Sequence, residues 1–396
     1  MQPATPITQR AWTIRRVEVM PIRVRLSFKR TLSKGPVSEA AADPIVGAPV
    51  LVRIETDGGV VGYAQVRPPT PWLGETTESI VAAIRHYYAP ALIGLTAHDR
   101  HEAIRRFEAV LPGNSVAQAA LEIALHDLAG KALGVPVYAL LGGSRQEIPL
   151  DWSVSLNPDE RMIEESVLAV RQHGVRIMCL KVGPRERWAA DVAIFKAVRE
   201  AVGSDVEIGI DPNEGYDAAT TIRVLRELES QHVAYVEQPL PRADVAGLRA
   251  LRGASDTPVL IDESAITLAE TLHVLQAAAC DGIVLKLWKS AGLTGARNMG
   301  ALAHAAGLSM TVGGVAHGSV LEAAASAHLY SSLPTHAMAA EFVLGLNVVD
   351  HDPVVELPAD FKPRNGSVIA PDGPGLGVNV DMEKVSEIAL GRYSVE

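Results

Sequence analysis

The chain has 396 residues, 48% hydrophobic and 21% charged, which is ordinary globular usage and excludes a fibrous or broadly disordered protein. Lysine and arginine total 36 against 46 aspartates and glutamates; the resulting charge of −10 lacks the basic footprint of a general nucleic-acid binder. Two cysteines build no disulfide framework, no apolar leader opens the chain and no run of 18 apolar residues follows, so the expectation is a soluble, cytoplasmic protein without a membrane segment. At roughly 100–200 residues per domain the length predicts two or three domains.

Residues 13–26 alternate like a strand, and 50–66 read as two strands about an Asp-Gly-Gly turn. Three helical stretches follow, TESIVAAIRHYYAPAL, DRHEAIRRFEAVL and the alanine-rich SVAQAALEIALHDLAGKAL, the last stopped by Gly134 and Pro136. This gives an α+β domain over 1–140. From about residue 148 short apolar runs alternate with amphipathic stretches: IPLDWSVSL, RIMCLKV, VEIGID, VAYVEQPL, PVLIDES, GIVLKLW, LSMTVGGV and HAMAAEFVL. Eight such runs over 141–360 predict a parallel barrel, with a doubly wound open sheet as the alternative. The tail, 361–396, falls outside the alternation and is expected to return to the first domain. Its Gly373, Gly375 and Gly377 are one residue short of a dinucleotide fingerprint, and no clear helix follows them.

The ends of the apolar runs carry the chemistry. Run two ends in Lys181, run three in Asp211, run four in Glu237, run five in Asp262 and run six in Lys286. From Asp211 onward the spacings are 26, 25 and 24 residues, one strand-helix unit each, which puts every charge at the C-terminal mouth of a barrel. One such charge could simply start a solvated loop. Three carboxylates at matching depth repel one another unless a cation neutralises them, and an all-oxygen set suits Mg²⁺ or Mn²⁺ rather than zinc. Runs two and six lie four apart, so Lys181 and Lys286 face a substrate from opposite sides. A metal holding a small carboxylate would stabilise the enolate formed as one lysine removes the α proton and the other returns one. The bland alternative is that either lysine only pairs with a ligand or an anion.

CLKVG (179–183), IDPN (210–213), VEQPL (236–240), IDES (261–264) and LKLWKSAGL (285–293) resemble, in order, the motifs of the enolase superfamily, and more narrowly its muconate-lactonising-enzyme subgroup. The resemblance implies a modified TIM barrel, (β/α)7β, under an α+β capping domain. It implies Asp211, Glu237 and Asp262 as metal ligands, and Lys181, second in the family's Lys-x-Lys motif, with Lys286 as the acid/base pair. Asn213 and Glu341 match polar positions expected near substrate. One departure stands out: the first lysine of Lys-x-Lys is Cys179, which alternation places on the same face as Lys181. It either fills space or contacts substrate as a thiol; Cys280 is expected to be structural.

Other candidates are Phe28 and Arg30, with Lys29 and Lys34, where the family places a lid, and His317 beyond Gly313-Gly314. That glycine pair also supports a competing reading, a phosphate-binding barrel. The expected function is a metal-dependent isomerase (racemase, epimerase or cycloisomerase) acting on a small carboxylate, as a homo-oligomer. Dehydration by the same enolate chemistry and a lapsed metal-binding barrel are the alternatives. A dipeptide epimerase is disfavoured because the Asp-x-Asp expected on the last strand reads Ala339-Ala340-Glu341.

Overall fold

Val50–Thr56 and Val61–Val66, rich in β-branched residues and joined by the expected glycine turn, pair antiparallel in the computed structural model. The structure describes residues 12–24, 31–36, 43–68, 70–314, 318–334, 337–342 and 352–396, the side chains of residues 70 and 71 apart. Ile14–Pro21 lies beside Val50–Thr56, and the C-terminal strand Tyr393–Val395 completes the sheet on its other side. The helix Ser115–Leu133 covers this sheet. Val116 through Gly130 are all buried, as an alanine-rich helix without a polar stripe requires. Its close approach depends on Gly62, where a Cβ would stand 2.7 Å from Leu128 Cβ.

The first helical stretch is not a continuous α-helix. Thr77–Ala83 and Ala89–Leu92 are α-helical, but Ile84–Tyr88 between them is a π turn, with the Ala89 amide donating to the Ile84 carbonyl. Pro90 has no amide to donate and its ring crowds the preceding turn, so the helix widens just before it.

The parallel strands are Asp151–Val154, Ile177–Lys181, Glu207–Asp211, Val233–Glu237, Val259–Ile261, Gly282–Leu285 and Ser309–Val312, adjacent in sequence order. The eighth run closes the ring. Ala340 bridges to Leu150 and Glu341 to Gly313, both parallel, with Ala340 N–H donating to Pro149 O at 2.8 Å and Glu341 N–H to Val312 O at 2.9 Å. The sheet is therefore a barrel and not the open alternative. Short polar side chains start several of the outer helices: Asp217 accepts from Thr220 N, Asp244 from Gly247 N, and Thr267 forms a capping box with Glu270.

The tail ties the parts together. Ser367–Ile369 pairs antiparallel with Glu147–Pro149, just before the first barrel strand. Asp127, on the long buried helix, accepts from Tyr63 N, Leu376 N and Lys131 Nζ, and Gly375 packs directly against that carboxylate. Among the described residues no helix is long and apolar enough to cross a membrane.

Candidate active site at the barrel mouth

Because side chains alternate along a strand, Lys181, Asp211 and Glu237, each the last residue of its strand, point with the residues two positions earlier into the barrel. Lys181 Nζ donates to Asp211 Oδ2 at 2.6 Å, lies 2.9 Å from Glu341 Oε1 on the closing segment, and stands 3.9 Å from Cys179 Sγ. Burial works against the ammonium, but Asp211 together with the neighbouring Glu341 and Glu237 outweighs it, and they hold Lys181 well above its ordinary range.

Asp262 and Lys286 follow directly on strands five and six. Lys286 Nζ donates to Asp262 Oδ2 at 2.5 Å, and the fully enclosed Lys289 donates to both Asp262 Oδ1 and Asp262 O at 2.6 Å. Against the penalty of burial, these two ammoniums hold the Asp262 carboxyl well below the usual carboxylate range. The Gln238 side-chain carbonyl braces the turn by accepting from Asp262 N and Ser264 N, each at 3.0 Å. Gly313 is small so that Lys286 can pass: a Cβ there would lie 2.6 Å from Lys286 Cε. Gly314 likewise sits against Phe342, so packing accounts for the glycine pair without a phosphate.

Glu237 stands between the two ion-paired groups. Its Oε1 is buried with no hydrogen-bond partner, and burial, followed by the Asp211 charge, pushes its carboxyl well up. An enclosed carboxylate oxygen with an open valence beside two further carboxylates is what a hard divalent cation would fill, so the donor set Asp211, Glu237 and Asp262 fits one. Asn213 shapes the first ligand, donating from N and Nδ2 to the two Asp211 oxygens at 2.7 and 2.9 Å.

Several residues here carry no signal in the reading of strand ends. Glu263 follows Asp262, accepts from Trp72 Nε1 at 3.0 Å, and is raised to about 8 by burial and then by Asp262. Lys289 is carried inward by the turn after strand six. One layer deeper, Tyr235 crosses the barrel above Gly209 and donates to Asp151 Oδ2 at 2.6 Å; burial and then Glu341 raise Asp151 to about 7. Alternation two residues before Glu237 was the one available signal for Tyr235.

A cavity of about 230 Å³ opens beside Asp262, lined by Lys34, Trp72, Glu263, Arg242, Trp288 and Lys289 among others. Lys34 pairs with Glu214, which fastens the segment before the second cap strand to the barrel rim. Phe28, Lys29, Arg30 and His317 lie outside the described residues. Cys280 is buried far along a helix-strand turn, its thiol pushed up to about 12 by burial and Asp281.

Residues 22–142 match the model of the mandelate racemase / muconate lactonizing enzyme N-terminal domain, and residues 161–385 match that of the enolase C-terminal domain-like family. The chain is 32% identical over 364 residues to an L-Ala-D/L-Glu epimerase of Bacillus subtilis, covering 90% of this chain and 96% of that one. It is 33% identical over 340 residues to a chloromuconate cycloisomerase of Cupriavidus necator, covering 85% and 90%. Among solved structures it resembles the dipeptide epimerase of Cytophaga hutchinsonii complexed with Mg and a dipeptide, at 30% identity, a TM-score of 0.87 and coverage of 97% and 100%. The chain belongs to the mandelate racemase / muconate lactonizing enzyme family of the enolase superfamily.

Proposed function

We propose that this enzyme is a metal-dependent isomerase that removes the proton α to the carboxylate of a small organic acid and returns one through Lys181 and Lys286. The observation that carries the reading is the pairing at the mouth. Two buried ammoniums, four strands apart, each sit against a carboxylate of a three-acid set whose middle member keeps an open oxygen. Lys181 at the end of strand two and Lys286 after strand six address opposite faces of a planar enolate. Proton removal on one face and delivery on the other inverts the α carbon; removal and return through one lysine leaves its configuration intact.

Asp211, Glu237 and Asp262 would hold Mg²⁺ or Mn²⁺, which when bound supplies the charge that grips the substrate carboxylate, stabilises the enolate and relieves both lysines of their carboxylate partners. Asn213 and Gln238 keep the first and third of these acids oriented, and Lys289 fixes Asp262 from behind. The cavity beside Asp262 seats the rest of the substrate, with Trp72 and Trp288 as apolar walls and Arg242 and Lys34 at its rim.

The relatives' names divide between dipeptide epimerases and cycloisomerases. Ala339 offers no charge for a dipeptide ammonium, and Glu341, the nearest acid on that segment, already faces Lys181. We therefore favour an acid without a free α-amino terminus. The test is turnover of a carboxylate panel (acylated amino acids, dipeptides and muconates) by chelator-stripped protein with and without Mg²⁺. Turnover restored only by the cation is expected; equal turnover without it would contradict the proposal.

A further inference from the structure

The strand that departs from the family pattern brings a different donor to the acids. Cys179 lies on strand two, two residues before Lys181, wholly buried. One ligand atom each from Cys179, Asp211 and Glu237 lie within 4.8 Å of one another. Independently, Glu237, only 3% exposed, keeps Oε1 without a hydrogen-bond partner. Asp262 carries two ammoniums, Lys286 on one oxygen and Lys289 on the other, whereas Asp211 carries one, Lys181, which has to swing off it for an ion to enter. The three donors that converge are thus one sulfur and two carboxylates, contributed by three adjacent strands. Thiolate is a soft ligand that favours zinc-like ions, whereas Mg²⁺ prefers oxygen alone. Metal-ligand bonds of about 2.0–2.3 Å ask only for a modest closing of these side chains.

We propose that Cys179, Asp211 and Glu237 form a second binding mode for a thiophilic divalent cation such as Zn²⁺ or Co²⁺, exclusive of the hard-cation arrangement that uses Asp262. On binding, the thiol gives its proton to solvent and the sulfur becomes a ligand; no redox change is involved. Because Asp211 and Glu237 serve both modes, a thiophilic ion occupies the centre in a form that leaves Asp262 with its lysines. The inference shares these two acids with the proposed function, but its test reads a metal–sulfur bond and not turnover, so either can fail alone.

The test is a Co²⁺ titration of the chelator-stripped full chain, following sulfur-to-cobalt charge transfer in the near ultraviolet. In Cys280→Ser, Cys179 is the sole thiol, so that variant decides the matter even if Cys179→Ser does not fold. A band in Cys280→Ser that saturates at one Co²⁺ per chain is expected, along with its loss in Cys179→Ser. Glu237→Gln in the Cys280→Ser background should raise the Co²⁺ needed for half-saturation about tenfold or more. No band in Cys280→Ser, a band surviving in Cys179→Ser, or a titration unchanged by Glu237→Gln would overturn the proposal.

Discussion

A methyl group at Gly313 would stand 2.6 Å from Lys286 Cε, so the position of one proposed acid/base lysine is set by what its neighbour lacks. Gly313→Ala is expected to leave the fold intact and displace the ammonium by a fraction of an ångström to one ångström. That scale of misplacement costs up to about 10²-fold in turnover. The check is kcat and KM beside the melting temperature: kcat falls while KM and melting change little. A variant with full kcat would mean that Gly313 does not set the working position of Lys286. Cys179 illustrates the other limit of reading single residues. Alternation put its side chain beside Lys181, which the 3.9 Å separation matches, but nothing in the residue order indicated that its sulfur would also stand within reach of two acids from neighbouring strands.

At the scale of elements, the regular spacing of strand-end charges was legible because a barrel repeats one strand-helix unit, and a residue at the same place in each unit must reach the same rim. What that spacing could not convey is how the turns beyond the strands fold back. Lys289 and Glu263 lie within the motifs LKLWKSAGL and IDES, yet only the turn geometry aims both into the site. The eighth strand was legible as an apolar run but is short, held by single bridges at Ala340 and Glu341. The tail's return to the cap was legible, but the direct contact between cap helix and barrel was not. Glu122, buried on the long cap helix, accepts from Leu293 N at 2.7 Å and Thr294 N at 3.0 Å, and so caps the helix Leu293–Ala305 that follows Lys286 and Lys289. Gly292, at φ +106°, lies against that carboxylate where a side chain would collide with it. Glu122→Ala strands the buried Leu293 amide, the half-buried Thr294 amide and the His126 ring that pairs with it. It should lower stability by about 3 kcal/mol, seen as a lower denaturation midpoint. An unchanged midpoint would show that this capping contact is not part of what docks the cap.

Across the whole molecule the cap, the barrel and the tail meet around buried polar groups, which makes stability depend on pH in a way the sequence did not announce. His328, on the buried helix Val320–Ser331, accepts a hydrogen bond from Tyr138 N at 3.1 Å and stacks on the Tyr138 ring. Burial lowers it to about 4 from an ordinary value of 6.5. The unfolded chain therefore takes up a proton that the folded chain refuses in this window, so stability present above pH 6.5 drains away as pH falls toward 4. Burial of this single imidazole accounts for about 3 kcal/mol of that loss. Denaturation at pH 7 and pH 4.5 should show a smaller acid loss in His328→Gln than in the parent; equal losses would contradict the assignment. The two-layer plan was legible from periodicity, because an all-apolar helix and a run of β-α units each demand a partner surface. Contacts between sequence-distant groups such as His328 and Tyr138 follow from docking and leave no local pattern.

The central claim is that Lys181 and Lys286 act on opposite faces of one enolate. The direct measurement is α-deuterium uptake in D₂O with Mg²⁺, followed by NMR on each enantiomer of a turned-over carboxylate, in the parent, Lys181→Ala and Lys286→Ala. The parent is expected to exchange both enantiomers. Neither variant should invert the α carbon, and each should lose exchange of the one enantiomer whose proton faces the missing lysine. Exchange of both enantiomers persisting in either variant would contradict the two-lysine account.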